Sequence, residues 1–309
     1  MRPEATDKAP ICAVFNCMKP SVVLLALLLA PVAVSQQRNA ADYVRFLVPV
    51  LTGAPGANGA DWEATLRLRN DGPLPLDAFP LGGDCFCCAQ CLVIRDYPAF
   101  QANQDGYGER AGLPSPFGIS VGGRPGAFLY VERAVANQFS AHLEIGDVSR
   151  TPAQLTTLPI PSETAFLRGR RSVSDVPIAP TGRITVRLYQ LNPNAGAVVT
   201  MRVYEFGSHF DGPGQFEPGR LLGETVLAFQ YDAQADRCPS PIVCPDVPYH
   251  PGYAQITNLL MSMPQVVNAS NTTHRLRLEF EPASPSELYW PMITVTDNVT
   301  NAVQVFTVH

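Results

Sequence analysis

Proline and glycine interrupt this chain too often for long helices. From Gln36 onward they make up 49 of 274 residues, roughly 18% against an average near 12%. Each internal proline removes a backbone donor and clashes with the preceding helical turn, so short strands joined by turns are the expected alternative. The residues between the breaks alternate as strands do. Trp62, Ala64, Leu66 and Leu68 alternate with Glu63, Thr65, Arg67 and Arg69, which puts an apolar set on one face and a charged set on the other. Asn70-Asp71-Gly72-Pro73 ends that run with turn chemistry. Before it, the apolar stretch 43–52 closes on the loop 53–59, and similar runs recur at 127–132, 139–145, 184–189, 198–206, 224–230, 274–280 and 292–296. One helix is predicted over 252–263, where Ile256, Leu259, Leu260 and Met263 follow the i, i+3, i+4, i+7 rule and Pro264 stops it.

Strands at this spacing predict an all-β chain of two antiparallel β-sandwich domains, with that one short helix capping a sandwich end. The length agrees, at about 150 residues per domain. Residues 63–72 also resemble 183–196: in each an alternating strand runs into an Asn-initiated turn, a hint of internal duplication. The Pro-rich segments 158–161 and 176–180 are the candidate boundaries, and the expected domains are 42–165 and 166–309.

Residues 1–35 are expected to leave the working protein. Met18-Lys19-Pro20 precedes the apolar run 21–30, and Ala33-Val34-Ser35 supplies small residues before a cleavage point at Gln36, the layout of a secretory signal peptide. The 17 residues before Met18 add nothing to such a signal, so Met18 is the expected start. The run is shorter than the roughly 20 apolar residues of a membrane span, and no cysteine stands just after it as a lipid anchor would need. Secretion, to an extracellular or periplasmic location without a membrane span, is the expectation. Residues 36–309 carry 19 Arg, no Lys and 25 acids, a balance that excludes a basic nucleic-acid binder.

Three groups of residues carry a likeness to a known group. They are Leu47-Val48-Pro49-Val50 with Gly53 and Trp62-Glu63-Ala64-Thr65-Leu66-Arg67-Leu68-Arg69-Asn70; Gly223-Glu224-Thr225 with Pro251-Gly252-Tyr253-Ala254-Gln255-Ile256; and Tyr289-Trp290-Pro291-Met292-Ile293-Thr294-Val295-Thr296-Asp297-Asn298. With these the chain resembles uncharacterised exported bacterial proteins with tandem immunoglobulin-like β-sandwich domains. The resemblance implies two immunoglobulin-like sandwiches and export. These are strand and turn patterns, so it implies no chemistry.

Cys85, Cys87, Cys88 and Cys91 fall within seven residues, with Cys238 and Cys244 far downstream. In an oxidising compartment such a set becomes disulfides, with fifteen pairings open. A bond between vicinal Cys87 and Cys88 would be strained, so the expectation is that the 85–91 cluster joins the 238–244 loop and staples the two domains. A metal alternative uses Cys88-x-x-Cys91 with Cys238 and Cys244 as thiolates for zinc or copper(I), at a second spacing wider than usual and with only His250 nearby. A redox role for Cys88-x-x-Cys91 lacks the surrounding βαβ pattern.

Gly118-Ile119-Ser120-Val121-Gly122 matches the nucleophile motif of serine hydrolases. That motif needs a strand before the serine and a helix after it, whereas Gly123-Arg124-Pro125-Gly126 comes next here. The five histidines, His142, His209, His250, His274 and His309, do not pair at metal-ligand spacing. Asn103, Asp105 and Gly106 sit at offsets 3, 5 and 6 of a calcium loop, but Gln101 and Gly112 occupy its first and twelfth positions, where acids are required. Arg168-Gly169-Arg170-Arg171 is a small basic patch, read as a solvated loop. The resemblance to bacterial proteins implies that the sequons at Asn268, Asn271 and Asn298 are chance matches.

Together these features describe a non-catalytic exported protein without cofactor or metal, a binding or structural module whose partner is an unknown surface glycan or protein. The loops 77–126 and 207–222, with Tyr97, Phe100, Tyr107, Phe117, Phe210 and Phe216, are its expected contact surfaces. The alternatives are a serine hydrolase using Ser120 and a metal-binding protein built on the cysteines.

Overall fold

The alternation of apolar and polar side chains resolves into sixteen strands among the residues that the computed structural model describes, which are 39–50, 53–55, 59–72, 78–80, 105–110, 126–178, 181–206, 219–233, 247–248, 250–269 and 275–308. The first half supplies β1 (Tyr43–Val48), β2 (Gly53–Pro55), β3 (Asp61–Asn70), β4 (Ala78–Pro80), β5 (Asp105–Arg110), β6 (Ala127–Glu132), β7 (Phe139–Asp147) and β8 (Gln154–Leu158). The second supplies β9 (Arg171–Pro177), β10 (Gly182–Gln190), β11 (Val198–Glu205), β12 (Leu221–Ala228), β13 (Gly252–Ile256), β14 (Arg275–Pro282), β15 (Tyr289–Asp297) and β16 (Val303–Thr307). All pairings are antiparallel, so the chain is all-β.

Four sheets result, and the two halves repeat one plan. The first half forms β1-β6-β4 and β2-β3-β7-β8, with β5 also on β3; the second forms β12-β11-β14-β9 and β13-β10-β15-β16. Matched strand for strand, β1, β6 and β4 correspond to β9, β14 and β11, while β5, β3, β7 and β8 correspond to β13, β10, β15 and β16. The similar stretches 63–72 and 183–196 thus run along equivalent strands, β3 and β10.

Period-2 patterning sets which sheets meet. On β3, Ala64, Leu66 and Leu68 are buried while Arg67 and Arg69 are exposed, and the buried set joins Val48, Leu129 and Val131 in one cluster. On β10, Ile184, Val186 and Leu188 meet Val199, Met201, Leu278 and Phe280 in a second. The residues in between form a third: Tyr43, Leu47, Phe128 and Tyr130 of the first half against Tyr189, Trp290 and Met292 of the second. The layers therefore run β2-β3-β7-β8, β1-β6-β4, β13-β10-β15-β16, β12-β11-β14-β9. Two-sided burial is why Ala127–Val131 and Tyr289–Thr296 lack a solvent face. Each large apolar side chain in these clusters contributes about 1.5–3 kcal/mol. Residues Arg38–His309 form one unit.

The helix predicted over 252–263 is corrected. Gly252, Ala254 and Ile256 are buried with Tyr253 and Gln255 between them less so, a period-2 strand that pairs with β10 through Gly252–Gln190 and Ile256–Val186. Helix begins only at Leu259–Ser262, capped by the Asn258 side chain accepting from Met261 N–H. Pro264 does end that turn, having no N–H to continue it, but it also opens a second short helix, Pro264–Ala269, the position proline tolerates. The expected loop 53–59 likewise contains a strand, β2, paired with Asp61–Glu63.

Candidate binding surfaces

One outermost sheet carries its charges as a lattice. Along β14, Arg275-Leu276-Arg277-Leu278-Glu279-Phe280-Glu281 alternates, so Leu276, Leu278 and Phe280 are fully buried and the charged side chains stand on the other face. Arg202, opposite both Glu279 and Glu224 in register, donates to Glu281 and Glu224 at 2.5 Å each and lies 3.6 Å from Glu279. Arg170 donates to Glu281 at 2.9 Å and lies 3.7 Å from Glu279. Hydrogen bonds from Arg202 and then Arg170 hold the Glu281 carboxyl below the usual carboxylate range, and the Glu281 and Glu224 carboxylates push Arg202 upward. Glu281 is therefore ionised at neutral pH and is a poor proton donor there. This surface suits recognition by charge.

The same face changes character toward its other end. The Arg277 guanidinium lies 4.5 Å above the Tyr204 ring, a cation–π stack, and Arg275 pairs with Asp175. Asp175 has φ +66° where the register of β14 and β9 slips, a bulge that bends this edge strand. Leu221 and Val226 of β12 are exposed on the far edge.

The seam between the two middle sheets is aromatic and hydrogen-bonded. Tyr189 and Trp290 stack with centroids 6.0 Å apart, Tyr189 donates its hydroxyl to Pro49 O at 2.7 Å, and Tyr130 donates to Pro248 O at 2.6 Å. Burial pushes the Tyr189 phenol upward. Arg45 donates to Leu191 O at 2.8 Å and Asn192 Oδ1 at 3.2 Å. At the opposite end Asp147 receives Asp61 N–H, Ser149 N–H and the Ser149 hydroxyl on one oxygen, and Asn301 and Arg150 on the other. The Ser149 hydroxyl and the Asp61 N–H hold its carboxyl far below the usual range.

Many of the residues singled out in the sequence lie outside the described residues: Ser120, Cys85, Cys87, Cys88, Cys91, Cys238, Cys244, His209, His274, His309, Tyr97, Phe100, Phe117, Phe210, Phe216 and all of 1–35. Tyr107 lies on β5. Asp105 and Gly106 open that same strand, with Asp105 opposite Arg69, so this half of the calcium-loop pattern is strand. His142 stands on β7 with Nε2 3.3 Å from Glu144. Of the basic run 168–171, Arg170 belongs to the lattice and Arg171 opens β9. Among the described residues no three His, Cys, Asp or Glu side chains gather as a metal would require, and no helix is long and apolar enough to cross a membrane. Neither the lattice nor the Asp147 cluster was expected from the sequence. For the lattice the signal was there, in the strict alternation of 275–281. Comparison with known protein families, with curated proteins and with solved structures finds no match for this chain.

Proposed function

We propose that this chain is a non-catalytic exported module of two immunoglobulin-like β-sandwiches, which binds a surface glycan or protein outside the cytoplasm. The observation that carries this reading is the two-sided burial of β1-β6-β4: with Phe128 and Tyr130 on one face and Leu129 and Val131 on the other, the two halves are locked by a hydrophobic interface rather than linked by a hinge. Such a body presents its outer sheet faces in fixed geometry, as a recognition scaffold requires. Constant-type immunoglobulin domains keep their first two strands in one sheet. Here β9 lies beside β14 and β15 beside β10, so the likeness is to the two-layer plan, with the edge strands exchanged.

The test is a glycan and protein array probed with residues 36–309. Saturable binding to a defined ligand supports the module. Labelling by a fluorophosphonate that is lost in Ser120→Ala, or zinc or copper retained through oxidising purification, would replace it with an enzyme or a metal protein.

A further inference from the structure

The free edge of β12 carries backbone groups that no neighbouring strand among the described residues pairs. Phe229 N–H donates to Ala197 O at 2.8 Å, on the β11 side, and Gln230 exchanges both of its bonds with Tyr253 of β13, on the other side. Antiparallel pairing alternates, so Gly223, Thr225 and Leu227 turn their N–H and C=O groups to β11, while Glu224, Val226 and Ala228 turn theirs away from it. The side chains of this second set stand on the outer face, since Leu227 lies in the core. All three residues are exposed, Val226 by 59%.

Sheet edges are ordinarily blunted by proline, charge, a bulge or a covering segment. Other edges of this molecule follow that rule. β9 has the Asp175 bulge and ends on Pro177, β2 and β4 are three-residue strands that contain Pro55 and Pro80, and bridges join Phe46 of β1 to Ser162 and Tyr253 of β13 to Gln230. β12, Leu221-Leu222-Gly223-Glu224-Thr225-Val226-Leu227-Ala228, has neither proline nor a basic residue. Its bulge falls at Leu222, opposite the step from Val203 to Tyr204, and leaves 223–228 regular. Glu224 is already held by Arg202, so a strand arriving at this edge meets no unbalanced charge.

The strand is complementary to itself. Set antiparallel about Val226, two copies place Val226 against Val226 and Glu224 against Ala228, and every open backbone group from 224 to 228 finds a partner. Neighbouring registers fail. Centring on Glu224 puts like charges opposite each other, centring on Thr225 sets Ala228 against the bulged Leu222, and centring on Leu227 sets Glu224 against Gln230, whose backbone groups β13 has taken.

We propose that two copies of this chain pair through β12, antiparallel about Val226, which joins their outer sheets into one continuous sheet and sets two charged lattices side by side. The pairing goes beyond the binding-module reading and stands without it. Sedimentation equilibrium of residues 36–309, which contain the whole unit Arg38–His309, should show a dimer at about 0.1 mM. Val226→Lys and Val226→Glu each put like charges on the two-fold axis and should each weaken association at least about tenfold. Their far-ultraviolet circular dichroism should match the parent's, because Val226 is exposed, so loss of the dimer is not loss of fold. A mixture of the two variants should associate again, since the introduced charges are then opposite in sign. Leu155→Lys, at an exposed apolar residue of β8, should dimerise as the parent does. A monomeric parent overturns the proposal, as do single variants that dimerise as tightly as the parent or an equal loss in Leu155→Lys. A mixture that stays monomeric overturns the register about Val226. A protein on the array that binds a monomeric parent and is lost in Val226→Lys overturns the second copy as partner and gives this edge to a foreign strand.

Discussion

Asn301 donates its side-chain amide to Asp147 Oδ2 at 2.8 Å across 154 residues of sequence, and both side chains are buried. The bond ties the turn after β15 to the end of β7, so it joins the two halves opposite the aromatic seam. Asn301 has φ +59°, a conformation asparagine tolerates better than most residues. Asn301→Gly removes the hydrogen bond to a charged acceptor while keeping the backbone unstrained, and should cost about 2 kcal/mol. Asn301→Ala should cost about 1 kcal/mol more for the left-handed backbone. Urea denaturation measures both; losses below about 0.5 kcal/mol would show that the bond holds nothing.

The pH dependence of stability should come from the same cluster. The folded Asp147 carboxyl is depressed by the Ser149 hydroxyl and Asp61 N–H, and Asp297 is lowered by the Val299 and Thr300 N–H groups. A depressed carboxyl contributes stability that is fully present above its unfolded value of about 3.9 and is lost as pH falls toward the folded value. The urea midpoint should therefore be flat from about pH 7 to 5 and fall steadily below about pH 4. Asp147→Asn, already weaker at neutral pH, should show a shallower fall. An equally steep fall in that variant would assign the acid sensitivity to other carboxylates.

What was legible in the sequence was whatever rests on neighbours along one strand. Ala64, Leu66 and Leu68 alternate with charged residues, and that alone identifies β3 and its buried face. The segment 252–263 misled because Ile256 fits both periods: with Gly252 and Ala254 it continues a two-residue repeat, with Leu259, Leu260 and Met263 a helical one. Pairing with β10 decided for the strand, and Asn258 marks where helix takes over. The Asp147–Asn301 bond joins residues from opposite halves, which no local pattern reveals.

The aromatic seam should carry much of the coupling between halves. Trp290 is buried against Tyr189, so Trp290→Ala should cost about 3–5 kcal/mol. Tyr189→Phe keeps the ring but leaves Pro49 O without its donor, and should cost about 1–2 kcal/mol. If the seam makes the halves cooperative, calorimetry of the parent shows one transition. Trp290→Ala should broaden it or split it in two. A parent that already melts in two steps would mean that the seam does not couple them.

The lattice on the outer sheet should respond to salt, and the buried latch should not. Arg202→Met keeps the apolar stem but takes the Arg202 guanidinium from Glu224, Glu279 and Glu281, of which Glu279 and Glu281 still have Arg170 in reach. Exposed ion pairs are individually weak, yet this change exposes like charges to one another on adjacent strands. The melting temperature should fall by about 2–4 °C at 0.1 M NaCl. At 1 M NaCl, where screening acts within about 3 Å, the deficit should shrink by more than half. The deficit of Asn301→Gly, being buried, should persist at both concentrations. A salt-independent loss in Arg202→Met would instead point to packing of its stem across β11 as the main contribution.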